Sequence, residues 1–228
     1  MRKKVKITKR QLKEDELLQA VMTSTAFLKE YWQKIAIGVC IIVVAAGISA
    51  FYLSFQKNKL SESGVLYSQA RLAYQDGNQE EAITYFEQLV DQYGGTQNGK
   101  EGLMFLGNIY FEKDEFVRAV EMYEKCKKSF SKEDIFYMSA REGIAACYEG
   151  QKKYDEAAKE YEAIANSSTD ENVSIRNLMA AAVAYQEAGD VSQAKKQYQK
   201  IIDEYPESRL LKTAENKLKT LELIAKGS

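Results

Sequence analysis

The 228-residue chain contains no histidine. That removes the commonest general base near neutral pH, the usual partner of a serine or cysteine nucleophile, and the commonest metal ligand. No catalytic residue, cofactor or metal site is expected, and an enzyme is the least supported class. Proline occurs once, at Pro206, and no stretch alternates apolar and polar residues as a half-buried strand would. The three cysteines, Cys40, Cys126 and Cys147, show no C-x-x-C pairing. Cys40 lies inside an apolar run. Cys126 and Cys147 fall on consecutive helices of the reading below and are expected as two separately buried thiols rather than a bridge.

Basic charge is scarce where a nucleic-acid binder would need it. The formal charge of -1 is split, with nine Lys/Arg against four Asp/Glu in residues 1–34 and 23 against 29 in residues 56–228. The folded part is therefore the acidic part, and no nucleic-acid partner is expected.

What the chain does have is one long apolar run. Residues Ile35 to Phe55 carry no charge, and as a helix rising about 1.5 Å per residue they just span a hydrocarbon core of roughly 30 Å. Tyr31 and Trp32 flank one end, with Phe51, Tyr52 and Phe55 at the other, as aromatic rings do at membrane interfaces. A cleaved signal peptide is the weaker reading, because the preceding 34 residues include Glu14, Asp15 and Glu16 and the run exceeds an ordinary signal core. The expected organisation is a cytoplasmic leader over 1–34, a transmembrane helix over 35–55 and an extracytoplasmic domain over 56–228. The Lys/Arg excess before the run sets the orientation, which places the chain in the plasma (inner) membrane as a single-pass protein with its C-terminal domain periplasmic or extracellular.

The leader carries its own signals. Thr8 with Gln11 spells a capping box and Ile7 with Leu12 a hydrophobic staple, so a helix is expected from about Lys9. Leu17, Val21, Leu28, Tyr31 and Ile35 then share one face.

Beyond the run the apolar residues repeat. Leu103, Leu106, Gly107 and Tyr110 are followed by Ala119 and Tyr123, then Arg141, Ile144, Ala145 and Tyr148 by Ala157 and Tyr161. Leu178, Ala181, Ala182 and Tyr185 are followed by Ala194 and Tyr198, and a weaker first copy holds Leu66, Ala70, Ala73, Ala82 and Phe86. Their spacing resembles the tetratricopeptide repeat, in which small residues on two antiparallel helices are surrounded by large apolar ones. The resemblance implies an all-α fold: one N-terminal transmembrane helix, then a solenoid of four helix pairs at about 63–95, 100–132, 138–169 and 175–206, closed by a capping helix at 207–226. Small residues allow the two helices of a pair to approach, and the aromatics fill the gap to the next pair, because no single repeat can bury its own apolar face. The repeats exceed the family's usual length, and the loops 94–99, 131–134 and 166–171 are expected to take up the excess. On the capping helix Leu210, Leu211, Ala214, Leu218, Leu221 and Ile224 share one side. No proline separates Phe55 from Gly64, which lets the span run on into the first repeat helix.

Residues 94–101 nearly spell a phosphate-binding loop, but Glu101 stands where a magnesium-binding hydroxyl belongs and a helix precedes it instead of a strand, so a plain linker is expected. In the family the first helices of successive repeats line a concave, partner-binding face. That implies a stripe of Tyr67, Arg71 and Tyr74, then Met104, Asn108 and Phe111, then Glu142 and Glu149, then Met179 and Gln186, aromatic and Met-rich over two repeats and acidic over the third. Tyr74 and Phe111 are equally readable as packing between repeats. Span and repeats together resemble bacterial envelope proteins with one span and a periplasmic tetratricopeptide domain, of the kind typified by the ancillary subunit of the Sec translocon. This implies a scaffold that binds membrane machinery, chaperones or client proteins, with lipid contact through 35–55. The alternative is a self-associating structural scaffold, a homo-oligomer joined through the span, where Ala46 and Ala50 form a small-xxx-small pair, or through the capping helix.

Overall fold

The computed structural model describes residues 9–227, with side chains described at Lys29 and from Tyr31 to Ile224 apart from Ile35. The Thr8–Gln11 box, the Ile7–Leu12 staple and most of the leader's apolar face lie outside the described side chains. Among the described residues the chain forms nine helices and no strand. They are α1 (Lys9–Gln75), α2 (Gln79–Tyr93), α3 (Gln97–Glu112), α4 (Phe116–Ser129), α5 (Ile135–Gly150), α6 (Tyr154–Ser167), α7 (Glu171–Glu187), α8 (Val191–Glu204) and α9 (Leu211–Gly227).

The chain divides into two compact units, 1–58 and 59–228. In the first, α1 contains a stretch of mean hydropathy 2.5, long and apolar enough to cross a membrane, and Ile37, Ile41, Val44, Ile48 and Phe51 all face outward from it.

The second unit is a solenoid in which each helix from α2 to α9 packs on its neighbour in sequence and α3 also meets α5. Its periodic small residues, Ala70, Ala145 and Ala182 on first helices and Ala82, Ala119, Ala157 and Ala194 on second helices, are wholly buried. Gly107 is buried too, but its near neighbour is the ring of Tyr123 rather than the small residue of the facing helix.

The four turns inside the pairs share one construction. Gly77, Asp114, Lys152 and Gly189 hold left-handed backbone, with φ of 77°, 58°, 60° and 84°. In each turn that residue's N–H donates three residues back and the next N–H donates five back, as in Asp114 to Phe111 and Glu115 to Tyr110. This is the Schellman ending, which satisfies helix-terminal carbonyls and reverses the chain within a few residues.

Between pairs, two of the linkers are tighter than the sequence implied and the third, 130–134, is one residue longer. Thr96 caps α3 by accepting the Gly99 N–H at 3.1 Å, so 97–99 are helical and the connection is only 94–96. Asp134 and Asp170 cap α5 and α7 in the same manner, leaving 130–134 and 168–170. The excess repeat length is held in the first helices, which run to 16, 16 and 17 residues in α3, α5 and α7.

The last helix begins at Leu211, after a turn containing Pro206, and not at Glu207. Ala214 and Leu221 are buried against the preceding repeat, with Leu210 and Leu218 packed beside them. Ile224, expected on that same face, is 63% exposed.

Candidate protein-binding groove

The packing between successive pairs decides where the solenoid is open. Phe105, Gly143 and Ala180 occupy the same place on the first helices of the second, third and fourth repeats. The second-helix aromatic of the preceding repeat, Phe86, Tyr123 or Tyr161, lies on the same side. At the first junction Phe105 is stacked on Phe86, with centroids 4.9 Å apart and rings 6° from parallel. Tyr67 and Tyr74 meet Phe105 edge-on, and the Arg71 guanidinium lies over the Tyr67 ring at 5.8 Å. Tyr67 donates its hydroxyl to Glu101 at 2.9 Å, and Tyr74 donates to Glu112. Burial and these carboxylates push both phenols up to about 12. Tyr67 and Tyr74 thus form a packed, hydrogen-bonded junction, with the exposed Arg71 lying over the Tyr67 and Phe105 rings.

At the next two junctions glycine and alanine replace the phenylalanine, and a groove of about 470 Å³ opens across α3, α5 and α7. One wall is Met104, Asn108 and Phe111 of α3, and the opposite side is Arg176, Asn177 and Ala180 of α7. Ser139, Glu142, Gly143 and Ala146 of α5 run between them, with Tyr123 and Tyr161 contributed by the second helices.

Tyr123 is trapped there. A side chain at Gly107 would come within 2.5 Å of its ring and one at Gly143 within 2.6 Å. Its hydroxyl donates to Asn108 Oδ1 at 2.8 Å. Tyr161 donates to Glu149 at 3.0 Å, and Tyr198 to Gln186 at 2.7 Å. Glu149 and Gln186 are therefore committed as acceptors for second-helix tyrosines. Burial pushes the Glu149 carboxyl above its ordinary value, while the Tyr161 hydroxyl pulls the other way.

The electrostatics of the groove centre on Glu142. Its Oε1 accepts from Arg176 Nη2 at 2.6 Å and from Asn177 Nδ2 at 2.7 Å, both donors coming from the following repeat.

Of the ten stripe residues, the structure brings Met104, Asn108, Phe111 and Glu142 together in the groove. Tyr67, Arg71 and Tyr74 close the first junction, and Met179 packs against the C-terminal core. Glu142 of the third repeat is paired with Arg176 of the fourth, so the negative charge expected along the third repeat is partly compensated at that point. Sequence reasoning missed Tyr123, Ser139, Gly143, Ala146, Tyr161, Arg176, Asn177 and Ala180. The signal for the opening was present in the series Phe105, Gly143, Ala180 at one register position.

Elsewhere Cys126 and Cys147 are free and buried, and burial pushes both thiols up to about 12. Among the described residues no group of three or more His, Cys, Asp and Glu side chains is placed to hold a metal ion.

The repeated helix pairs and their register agree with family comparison. A model of the tetratricopeptide repeat-like domain matches residues 25–175, and a tetratricopeptide repeat model matches 176–208. The chain belongs to the tetratricopeptide repeat-like family. No curated protein matches it significantly. Among solved structures, this tetratricopeptide chain is similar to MamA (41-end) from Desulfovibrio magneticus RS-1, at 19% identity and a TM-score of 0.55, covering 72% of this chain and 85% of that one. It is also similar to the apo form of RapI, at 12% identity and 0.60, covering 73% and 65%. A third similar structure is BtubC from P. vanneervenii, at 14% identity and 0.52, covering 73% and 65%. At these identities the likeness speaks for the fold alone. Tetratricopeptide solenoids are protein-interaction scaffolds, and that is the coarse function of this chain.

Proposed function

We propose that this protein is a membrane-anchored interaction scaffold whose groove over α3, α5 and α7 receives a segment of another protein during envelope protein biogenesis, translocation or complex assembly. The observation that carries the reading is the replacement of Phe105 by Gly143 and Ala180 at one register position. It leaves a groove bordered by apolar Met104 and Phe111 and by polar Asn108 and Glu142. A concave site with apolar walls and a few placed polar groups is the usual form of a binding site. Anchoring is supported by the uncharged run at 35–55 and its exposure along α1. The Lys/Arg excess before that run supports an N-terminus in the cytoplasm and a solenoid outside it.

The test is crosslinking in intact cells from a photoreactive residue at Ala146, with mass spectrometry of what is captured. Translocon subunits, chaperones or newly exported proteins are the expected products. Capture of only a second copy of this chain would favour the self-associating scaffold and remove the client-binding reading.

A further inference from the structure

We infer that the groove selects basic polypeptide segments, with the Glu142 carboxylate receiving their lysine or arginine and Arg176 acting as the resident cation that such a side chain displaces. The inference rests on the groove reading above and names the class of partner.

The two donors to Glu142 differ in kind. Asn177 is 2% exposed, and its amide also donates to the Val173 carbonyl of its own helix at 2.9 Å. It fixes the carboxylate in place. Arg176 has 59% of its side chain exposed and reaches Glu142 through one nitrogen. An exposed ion pair of this sort contributes little and exchanges readily, because solvent screens it and the long side chain regains freedom on release. Both donors use Oε1, so Oε2 of Glu142 carries no protein donor among the described residues. Arg176 is also the one cation among the residues described as lining the groove. An acidic segment would meet Glu142 and could gain only a guanidinium already engaged. A basic segment finds a prepositioned carboxylate, and the apolar wall of Met104 and Phe111 suits the aliphatic stem of lysine or arginine. The net negative charge of residues 56–228 favours the same class at longer range.

The experiment uses the full chain in detergent micelles and two short labelled peptides with identical leucine, alanine and serine positions, one carrying lysines and the other glutamates. Fluorescence anisotropy should show the lysine peptide binding about tenfold more tightly. Glu142→Gln should remove most of that preference, since the amide still accepts from Asn177 but bears no charge. Arg176→Ala should tighten the lysine peptide severalfold by freeing Glu142, a direction that a merely structural arginine would not produce. Ala146→Trp, which fills the groove, should block both peptides. Equal binding of the two peptides, both blocked by Ala146→Trp, overturns the basic class and leaves the groove reading standing. Absence of binding, or binding that Ala146→Trp does not touch, overturns both.

Discussion

The ring of Tyr123 occupies the space in which a side chain at Gly107 would stand, and a Cβ there would come within 2.5 Å of it. Gly143 of the next repeat leaves equally little room on its side. One aromatic of the second repeat is thus held between glycines of two successive first helices, which joins the pair to its neighbour.

Gly107→Ala and Gly143→Ala should therefore each destabilise the solenoid. Ordinarily alanine gains about 1 kcal/mol over glycine inside a helix. Here a ring that cannot retreat imposes overpacking of about 1–3 kcal/mol, which should leave a net loss near 1 kcal/mol. In a Tyr123→Leu background the penalty should vanish and the alanine should become favourable. Urea unfolding followed by far-UV circular dichroism checks both signs, and raised midpoints in the parent background would show that the ring is free to move.

Lys152→Gly should stabilise the chain. Gly77 and Gly189 take left-handed backbone at little cost, but Lys152 holds φ 60° in the equivalent turn. An L-residue there costs roughly 1–2 kcal/mol, partly offset by the greater unfolded-state entropy of glycine. The expected gain is about 0.5–1 kcal/mol. A lower unfolding midpoint would mean that the Lys152 side chain contributes more than its backbone costs.

These turns also show what was legible in the sequence. The register of Ala82, Ala119, Ala157 and Ala194 located every helix pair, because small residues recur wherever helices cross closely. Gly77 and Gly189 take left-handed backbone without a Cβ to oppose it, whereas Asp114 and Lys152 hold it against local preference. The groove was half legible. A stripe drawn along first helices found Met104, Asn108, Phe111 and Glu142, but it could not show that Tyr123 and Tyr161 reach in from second helices. Nor could it show that Arg176 and Asn177 pair with a carboxylate 34 and 35 residues earlier. Those depend on rotamers and on the placement of successive repeats, which spacing along one helix does not encode.

A stabilising change is also expected at Gln197. It is 1% exposed and its Nε2 has no hydrogen-bond partner among the described residues. In the third repeat the equivalent residue is Glu160, which accepts from Arg141 at 2.6 Å. In the fourth, Leu178 stands where Arg141 would be and offers nothing to the amide. A buried unpaired donor costs about 1–3 kcal/mol, so Gln197→Met should raise stability by about 1 kcal/mol or more. A drop in the unfolding midpoint would point to a buried water that the amide serves.

Glu149 should make stability depend on pH. Its carboxyl is raised above 4.5, chiefly by burial, so the folded chain retains a proton at pH values where the unfolded chain has released it. The resulting stabilisation is complete below the ordinary glutamate value and is lost as pH rises through the raised one. Glu149→Gln keeps an acceptor for the Tyr161 hydroxyl but does not titrate. The variant should become the more stable protein as pH rises from about 4 toward 7. Urea midpoints of both proteins across that range decide the matter, and a constant difference would show that Glu149 titrates alike in both states.

Tyr74→Ala separates packing from binding. In the sequence this residue and Phe111 belong to one concave stripe, but in the structure the Tyr74 ring lies edge-on to Phe105 at 5.9 Å and its hydroxyl is held by Glu112. Phe111 instead faces the groove while touching Phe116 at 5.6 Å. Removing the Tyr74 ring should cost about 1–3 kcal/mol of stability, since a partly buried aromatic loses both its area and its edge-to-face partner. It should leave the affinity of a groove-bound peptide unchanged, because the first junction is closed by Phe105 and the opening begins one repeat later. Phe111→Ala should weaken that peptide at constant pH and salt. If Tyr74→Ala instead abolished peptide binding at unchanged stability, the first junction would open in solution and the ligand path would extend along the whole stripe.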